Sequence, residues 1–283
     1  MMLAMGWMMG SLLSFCATAI AVRSLSSVFS VFEILSLRNV IGILILLGAA
    51  CIRPDLRSGF KLRRWKLHVL RNVVHFLGTA GWTYSLTILP MATVFAIEFT
   101  SPAWVAVLAV PFLGERLSRA RVVALVAGLA GVLIILRPGL GVLETGSLIM
   151  LPVAFSFAVV AVVTKRLTLT ETSFSILFYM NAMQLPLNLL GSESAFWLRL
   201  EPMHAVPFLG VGLGGLLSHF CLTNAYRYGD AGMVVTLDFL RIPIMAVVAL
   251  FLYGEAFDPF LILGSACIVG GLLYSLRKEA SAA

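Results

Sequence analysis

Glu98 stands in the stretch VFAIEFTSPAW (94–104), a carboxylate among Val, Phe, Ile and Trp. Asp238 occupies a similar setting in VVTLDFLRIP (234–243), with Arg241 three positions on. Arg71 and His75 lie four apart in HVLRNVVHF (68–76). Spacings of three and four place two side chains on one face of a helix. Carboxylates in such surroundings bind a proton or a cation reversibly. An arginine there meets a carboxylate or a phosphate through paired N–H donors.

These groups are costly in their setting. The chain has 60% hydrophobic and 12% charged residues and a mean hydropathy of +1.02. An ordinary soluble domain is roughly 45–50% apolar and about 25% charged. Apolar stretches near or above the roughly 20 residues of a bilayer-spanning helix recur along the whole length. They are continuous rather than alternating, which selects a helical bundle over a β-barrel. The sequence predicts an all-α membrane protein with ten transmembrane helices, at 3–22, 30–51, 67–87, 91–112, 120–137, 146–164, 173–191, 205–225, 231–253 and 259–276. The first span lacks the basic leading region of a signal peptide and reads as a true span.

The net charge of +7 does not imply nucleic acid. The basic residues cluster in short loops, where membrane topology explains them. With both termini in the cytoplasm, fourteen Lys and Arg residues fall on the inside and only Arg23, Arg137 and Arg199 on the outside. The positive-inside rule selects that orientation. Arg38, Arg71 and Arg241 are left within the membrane. Cys16, Cys51, Cys221 and Cys267 show no paired spacing, so they form neither a disulfide framework nor a metal site.

VPFLGERL (110–117) and LFLYGEAF (250–257) read as one element used twice, at an offset of 140 residues. The same offset matches Phe99 with Phe239, Gly131 with Gly271, Gly6 with Gly146 and Phe15 with Phe155. It also matches Glu98 with Asp238, while Asn39 meets Asn181 at 142. The chain thus divides into a first five-helix repeat, 1–140, and a second, 141–283. Five is odd, so the second repeat enters the membrane from the opposite side and the repeats are inverted. Their charges agree: GERLSRAR (114–121) is basic, and its counterpart GEAFDPF (254–260) is acidic. Inverted repeats are typical of secondary transporters, with the substrate near the midplane.

The closing elements of the two halves, LGERL with GVLIILRPG and LYGEA with GGLLYSLR, resemble the drug/metabolite transporter superfamily, EamA type. FEILSLRN (32–39) is similar to the start of that family's second span, and the resemblance covers nearly the whole chain. The second half departs at Ile242-Pro243, which replaces Ser101-Pro102 with a one-residue shift. The resemblance implies a ten-helix bacterial inner-membrane carrier of amino acids, nucleotides, vitamins or similar metabolites, in either direction.

Within this frame a mid-membrane ionisable group costs roughly 2.5–3.5 kcal/mol and marks a pathway or a pair. Asp238 has Arg241 on its own face. Glu98 has no local partner, and Arg71 and His75 of the third span are its candidates. Glu33 and Arg38 lie nearer a helix end and suit a structural pair. A lone Glu98 is either protonated or faces water, and both states suit proton coupling or a cationic substrate group. Pro102 and Pro243 leave carbonyls without helical donors, which places bends, and candidate hinges, beside Glu98 and Arg241. Trp7, Trp82, Phe99 and Phe239 are candidate cavity-wall aromatics, and Asn181 is a candidate hydrogen-bonding group.

The expected function is secondary active transport of a small metabolite by alternating access, with protons as a candidate co-substrate. A passive channel or a lipid flippase of the same fold is the alternative. An intramembrane enzyme fits less well: the four histidines make no H-E-x-x-H, no Walker A sequence exists, and no cofactor or metal is implied. Monomer and homodimer both fit the sequence.

Overall fold

Continuous apolar runs interrupted by short polar loops fold here into helices. The computed structural model describes residues 2–89, 91–137, 147–253 and 259–282, and no strand occurs among them. In chain order the helices are α1 (Met2–Leu25), α2 (Val31–Ile52), α3 (Trp65–Ile88), α4 (Met91–Glu98), α5 (Ser101–Leu113) and α6 (Arg119–Leu136). They continue with α7 (Ser147–Thr168), α8 (Ser173–Leu190), α9 (Ala205–Tyr228), α10 (Ala231–Asp238), α11 (Arg241–Tyr253) and α12 (Pro259–Ala282). Among the described residues, seven helical segments are long and apolar enough to cross a membrane. Helices α3 and α8 are absent from that set, and both carry internal polar residues: Arg71, Asn72 and His75 in one, Asn181 and Gln184 in the other. Many apolar side chains face outward, such as Leu44, Phe112, Val126 and Phe251. In water that surface would be unstable; in lipid it is the expected exterior.

The described helices form two compact units, residues Met1–Phe76 with Val163–Tyr228, and Leu77–Val162 with Gly229–Ala283. Each unit therefore draws on both sequence halves. In the first, α1 packs on α9 and α2 on α8. In the second, α6 packs on α12, and α10 on α5 and α6.

The expected structural pair Glu33–Arg38 is not formed. Glu33 lies at the start of α2, where Ser30 and Glu33 close a capping box: the Ser30 N–H donates to Glu33 Oε2 at 2.8 Å. Its other oxygen accepts from Arg199 Nη2, in a short turn at Phe196–Arg199. The helix start consumes the carboxylate locally, and a loop cation completes it.

A second acid has a similar task. Gly114 adopts φ 70°, a left-handed conformation that closes α5. The next residue, Glu115, then accepts from the Ala231 and Gly232 N–H groups at 2.6 and 3.1 Å, at the start of α10. Its carboxylate also faces Arg121 at 3.8 Å, which binds Asp230 at 3.2 Å. Glu115 thus satisfies two free donors of a helix start and complements its dipole. Glu115→Ala is expected to lower stability by about 1–3 kcal/mol, because two buried N–H groups lose their acceptor. Glu115→Gln keeps one acceptor and should lose less, as thermal unfolding of the purified protein in detergent would show. The expected counterpart at Gly254-Glu255, like Gly146, lies outside the described residues.

Candidate functional site

The fourth and ninth predicted spans are each broken. In the fourth, α4 ends at Glu98 and α5 begins at Ser101. Pro102 has no N–H to offer the Glu98 carbonyl. The Thr100 hydroxyl donates to the Ile97 carbonyl at 2.7 Å, and the Thr100 N–H bonds the same carbonyl at 3.0 Å, tightening the turn. In the ninth, α10 ends at Asp238 and α11 begins at Arg241. Pro243 removes the usual donor to the Phe239 carbonyl, and the Ile242 N–H replaces it at 3.3 Å. Each break therefore follows a carboxylate, and the two carboxylates are 140 positions apart.

The second unit brings these breaks together. Phe99 and Phe239, which follow Glu98 and Asp238, stack with centroids 5.9 Å apart and planes at 26°. Both are almost wholly buried. Gly128 on α6 makes room for this pair: a β-carbon there would stand 2.5 Å from the Phe239 ring. The Arg241 guanidinium lies 4.9 Å from the centre of the Phe99 ring, a cation–π contact.

Arg241 then bridges the two acids. Its Nη2 donates to Glu98 Oε1 at 3.2 Å and to Asp238 Oδ2 at 3.0 Å. The indole N–H of Trp82 donates to the other Glu98 oxygen at 2.7 Å. Trp82 itself packs against the apolar cluster of Leu89, Val94, Ile97, Met150 and Val153. The Glu98 side chain is 10% exposed, Arg241 21% and Asp238 30%. Access thus falls off from Asp238 through Arg241 to Glu98.

Within the second unit Glu98 is paired with Arg241. Arg71 and His75 belong to the first unit. Arg71 donates to Thr164 Oγ1 at 2.8 Å, to Asn72 Oδ1 at 2.9 Å and to Met180 Sδ at 3.6 Å. Gln184 contacts His75 Nδ1 at 3.0 Å and donates to Asn72 at 3.1 Å. Asn181 donates to the Leu177 carbonyl of its own helix at 2.8 Å and fills the space left by Gly42. Trp7 meets Phe220 edge to face at 5.6 Å. Spacing along one helix shows which side chains share a face. It does not show which helix that face meets, so the Arg241 contact with Glu98 does not follow from spacing.

The sequence reading also missed the Trp82 indole as a donor to Glu98 and the Glu115 cap. The first carried a signal, since a tryptophan inside a span needs an acceptor for its N–H. The second carried only the recurrence of the Gly-Glu pair.

The cluster holds one fixed cation between two carboxylates in an apolar unit. It can exchange a proton or a cationic group, and it has no nucleophile–base pair. Among the described residues no set of His, Cys, Asp and Glu is placed to hold a metal ion.

Known proteins agree with a membrane transporter. An S-adenosylmethionine uptake transporter of Rickettsia felis is 28% identical over 98% of this chain and 93% of its own. A riboflavin transporter of Rhizobium johnstonii is 31% identical over 76% of this chain and 71% of its own. A solved crystal structure superposes with a TM-score of 0.79 and 19% identity, covering 96% of both chains, which shows the fold alone. The description of the EamA-like transporter family matches twice, over residues 2–137 and 144–277. With nearly the whole length matched in this way, the chain belongs to the EamA-like transporter family.

Proposed function

We propose that the protein is a secondary carrier that moves a small metabolite across the bacterial inner membrane by alternating access. It has ten spans in two inverted five-helix repeats, 1–140 and 141–283, with both termini in the cytoplasm. The double family match and the two helix breaks at equivalent positions support the repeat. The excess of basic residues in alternate loops supports the orientation.

The observation that carries the reading is the Glu98–Arg241–Asp238 bridge at two interrupted helices. Discontinuous helices supply substrate and ion sites in inverted-repeat carriers. With both acids ionised, the cluster has a net charge of −1. Burial makes that imbalance costly and favours uptake of one further positive charge. A proton or a cationic group of the cargo supplies it. One nitrogen, Nη2, serves both carboxylates. A charge arriving at Glu98 releases the arginine to Asp238, and its departure draws the arginine back. Pro102 and Pro243 place hinges next to this exchange.

The relatives' cargoes define the first compounds to test. S-adenosylmethionine carries a sulfonium and an ammonium group, which suit a cluster short of one positive charge. Riboflavin is flat and aromatic, which suits the aromatic residues of the spans. A ligand that binds the folded state raises its apparent stability by mass action. Thermal unfolding against amino acids, nucleosides, flavins, S-adenosylmethionine and polyamines is expected to show stabilisation by one compound class. Glu98→Gln keeps an acceptor for Trp82 and removes the charge, so the protein should fold and lose that stabilisation. A shift that survives the substitution would remove Glu98 from the binding site.

A further inference from the structure

The first unit contains two arginines that the proposed exchange at Glu98 does not use. Arg38 on α2 is half-buried, and its Nε is fully buried with no hydrogen-bond partner. Arg71 on α3 is 3% exposed. No carboxylate of the described residues lies within ion-pair distance of either. A guanidinium has five N–H donors and stays charged in proteins. Arg71 makes three bonds, one of them to a thioether, a weak acceptor. Two of its N–H donors therefore remain.

The surroundings add polar groups, the Tyr226 side chain near Arg71 among them, and no carboxylate of the described residues. Arg38 packs against Gly215, one helical turn from His219 on α9, and the His219 ring meets His75, one turn from Arg71 on α3. The rings of His75 and His219 stand edge to face at 6.2 Å. Asn72 and Gln184 complete the polar wall through their mutual bond. Space has been left for the Arg38 side chain, because a β-carbon at Gly215 would come within 2.9 Å of its Cδ. A buried cation without a counter-ion is strongly unfavourable in an apolar interior, and paired N–H donors of guanidinium match the geometry of an oxyanion.

We propose that Arg38 and Arg71 form an oxyanion-binding site in the first unit, which takes the carboxylate or phosphate of a small molecule. Use of the site by transported cargo rests on the carrier reading; binding of the oxyanion does not.

The test uses purified full-length protein in detergent, with acetate and inorganic phosphate as probes and chloride at matched ionic strength as the control. A saturable rise in melting temperature at millimolar probe is expected for wild type. Arg38→Gln and Arg71→Gln should each lose it, while Arg63→Gln in a loop should keep it. Because Arg71→Gln removes buried hydrogen bonds and risks misfolding, Gly215→Ala provides a second route: it crowds Arg38 without removing a charge, and the rise should weaken. A wild-type response no greater than with chloride would overturn the site. So would a full response in Arg38→Gln and Gly215→Ala. Acetate acting alone would assign a carboxylate, and phosphate acting alone a phosphate; either supports the site. Transport assays on the same samples separate the two readings. Oxyanion binding without cargo exchange would refute the carrier alone, and exchange without an oxyanion response would refute this site alone.

Discussion

Arg241→Gln is expected to be the most damaging single substitution of the Glu98–Arg241–Asp238 bridge. It leaves Glu98 and Asp238 without their shared cation. Removing one partner of a buried ion pair typically costs about 3–5 kcal/mol, because the remaining charge is uncompensated. Glu98 bears most of that cost, since its side chain is 10% exposed against 30% for Asp238. The loss should therefore be relieved by neutralising Glu98. The double variant Glu98→Gln with Arg241→Gln is expected to unfold at a higher temperature than Arg241→Gln alone. A double-mutant cycle on purified protein measures this coupling. Additive losses would mean that the 3.2 Å contact contributes nothing to the folded state. The cation–π contact with Phe99 is lost in both Arg241 variants and cancels from the comparison.

Gly131→Leu is the second large effect. Helices α6 and α12 meet through glycines: a β-carbon at Gly131 would lie 2.5 Å from the Gly264 carbonyl oxygen and 2.6 Å from Ile268 Cγ1. The reverse also holds, with a β-carbon at Gly264 2.5 Å from the Gly131 carbonyl. The obstacle is backbone, which cannot rotate away as a side chain can. Small residues permit this close approach in membrane helices, where association relies on packing. Overpacking typically costs about 1–3 kcal/mol and occasionally more. A leucine against backbone should exceed that range or abolish folding. Gly48→Ala on α2 is the control, because nothing lies within 4 Å of its β-carbon position. Yield and thermal midpoint should fall sharply for the first substitution and stay unchanged for the second.

The sequence made some of this legible. Apolar runs of sufficient length locate the long helices, because spanning length and hydropathy are local properties. The register of 140 residues placed Glu98 opposite Asp238 and Pro102 within one residue of Pro243, and the helices break at both places. A proline acts on the carbonyl four residues earlier, so a bend can be read locally. Pairings between helices could not be read. Glu98 meets Arg241, and Glu33 meets Arg199 and not Arg38. Those choices depend on which helix faces lie together, and neither composition nor spacing records that. The Glu115 cap on α10 was hidden for the same reason: donor and acceptor are more than a hundred residues apart. Arg38 remained a surplus cation, because its expected partner is consumed by the start of α2.

Counterflow in proteoliposomes tests the central claim most directly. Vesicles holding the purified protein would be loaded with unlabelled S-adenosylmethionine, diluted, and given labelled S-adenosylmethionine outside, with riboflavin in a parallel set. An alternating-access carrier is expected to accumulate label transiently above its external concentration for one of the two cargoes, saturably, and Glu98→Gln vesicles should lose that overshoot. Entry no faster than in protein-free vesicles for both cargoes, entry without overshoot, or an overshoot undiminished in Glu98→Gln would contradict the account.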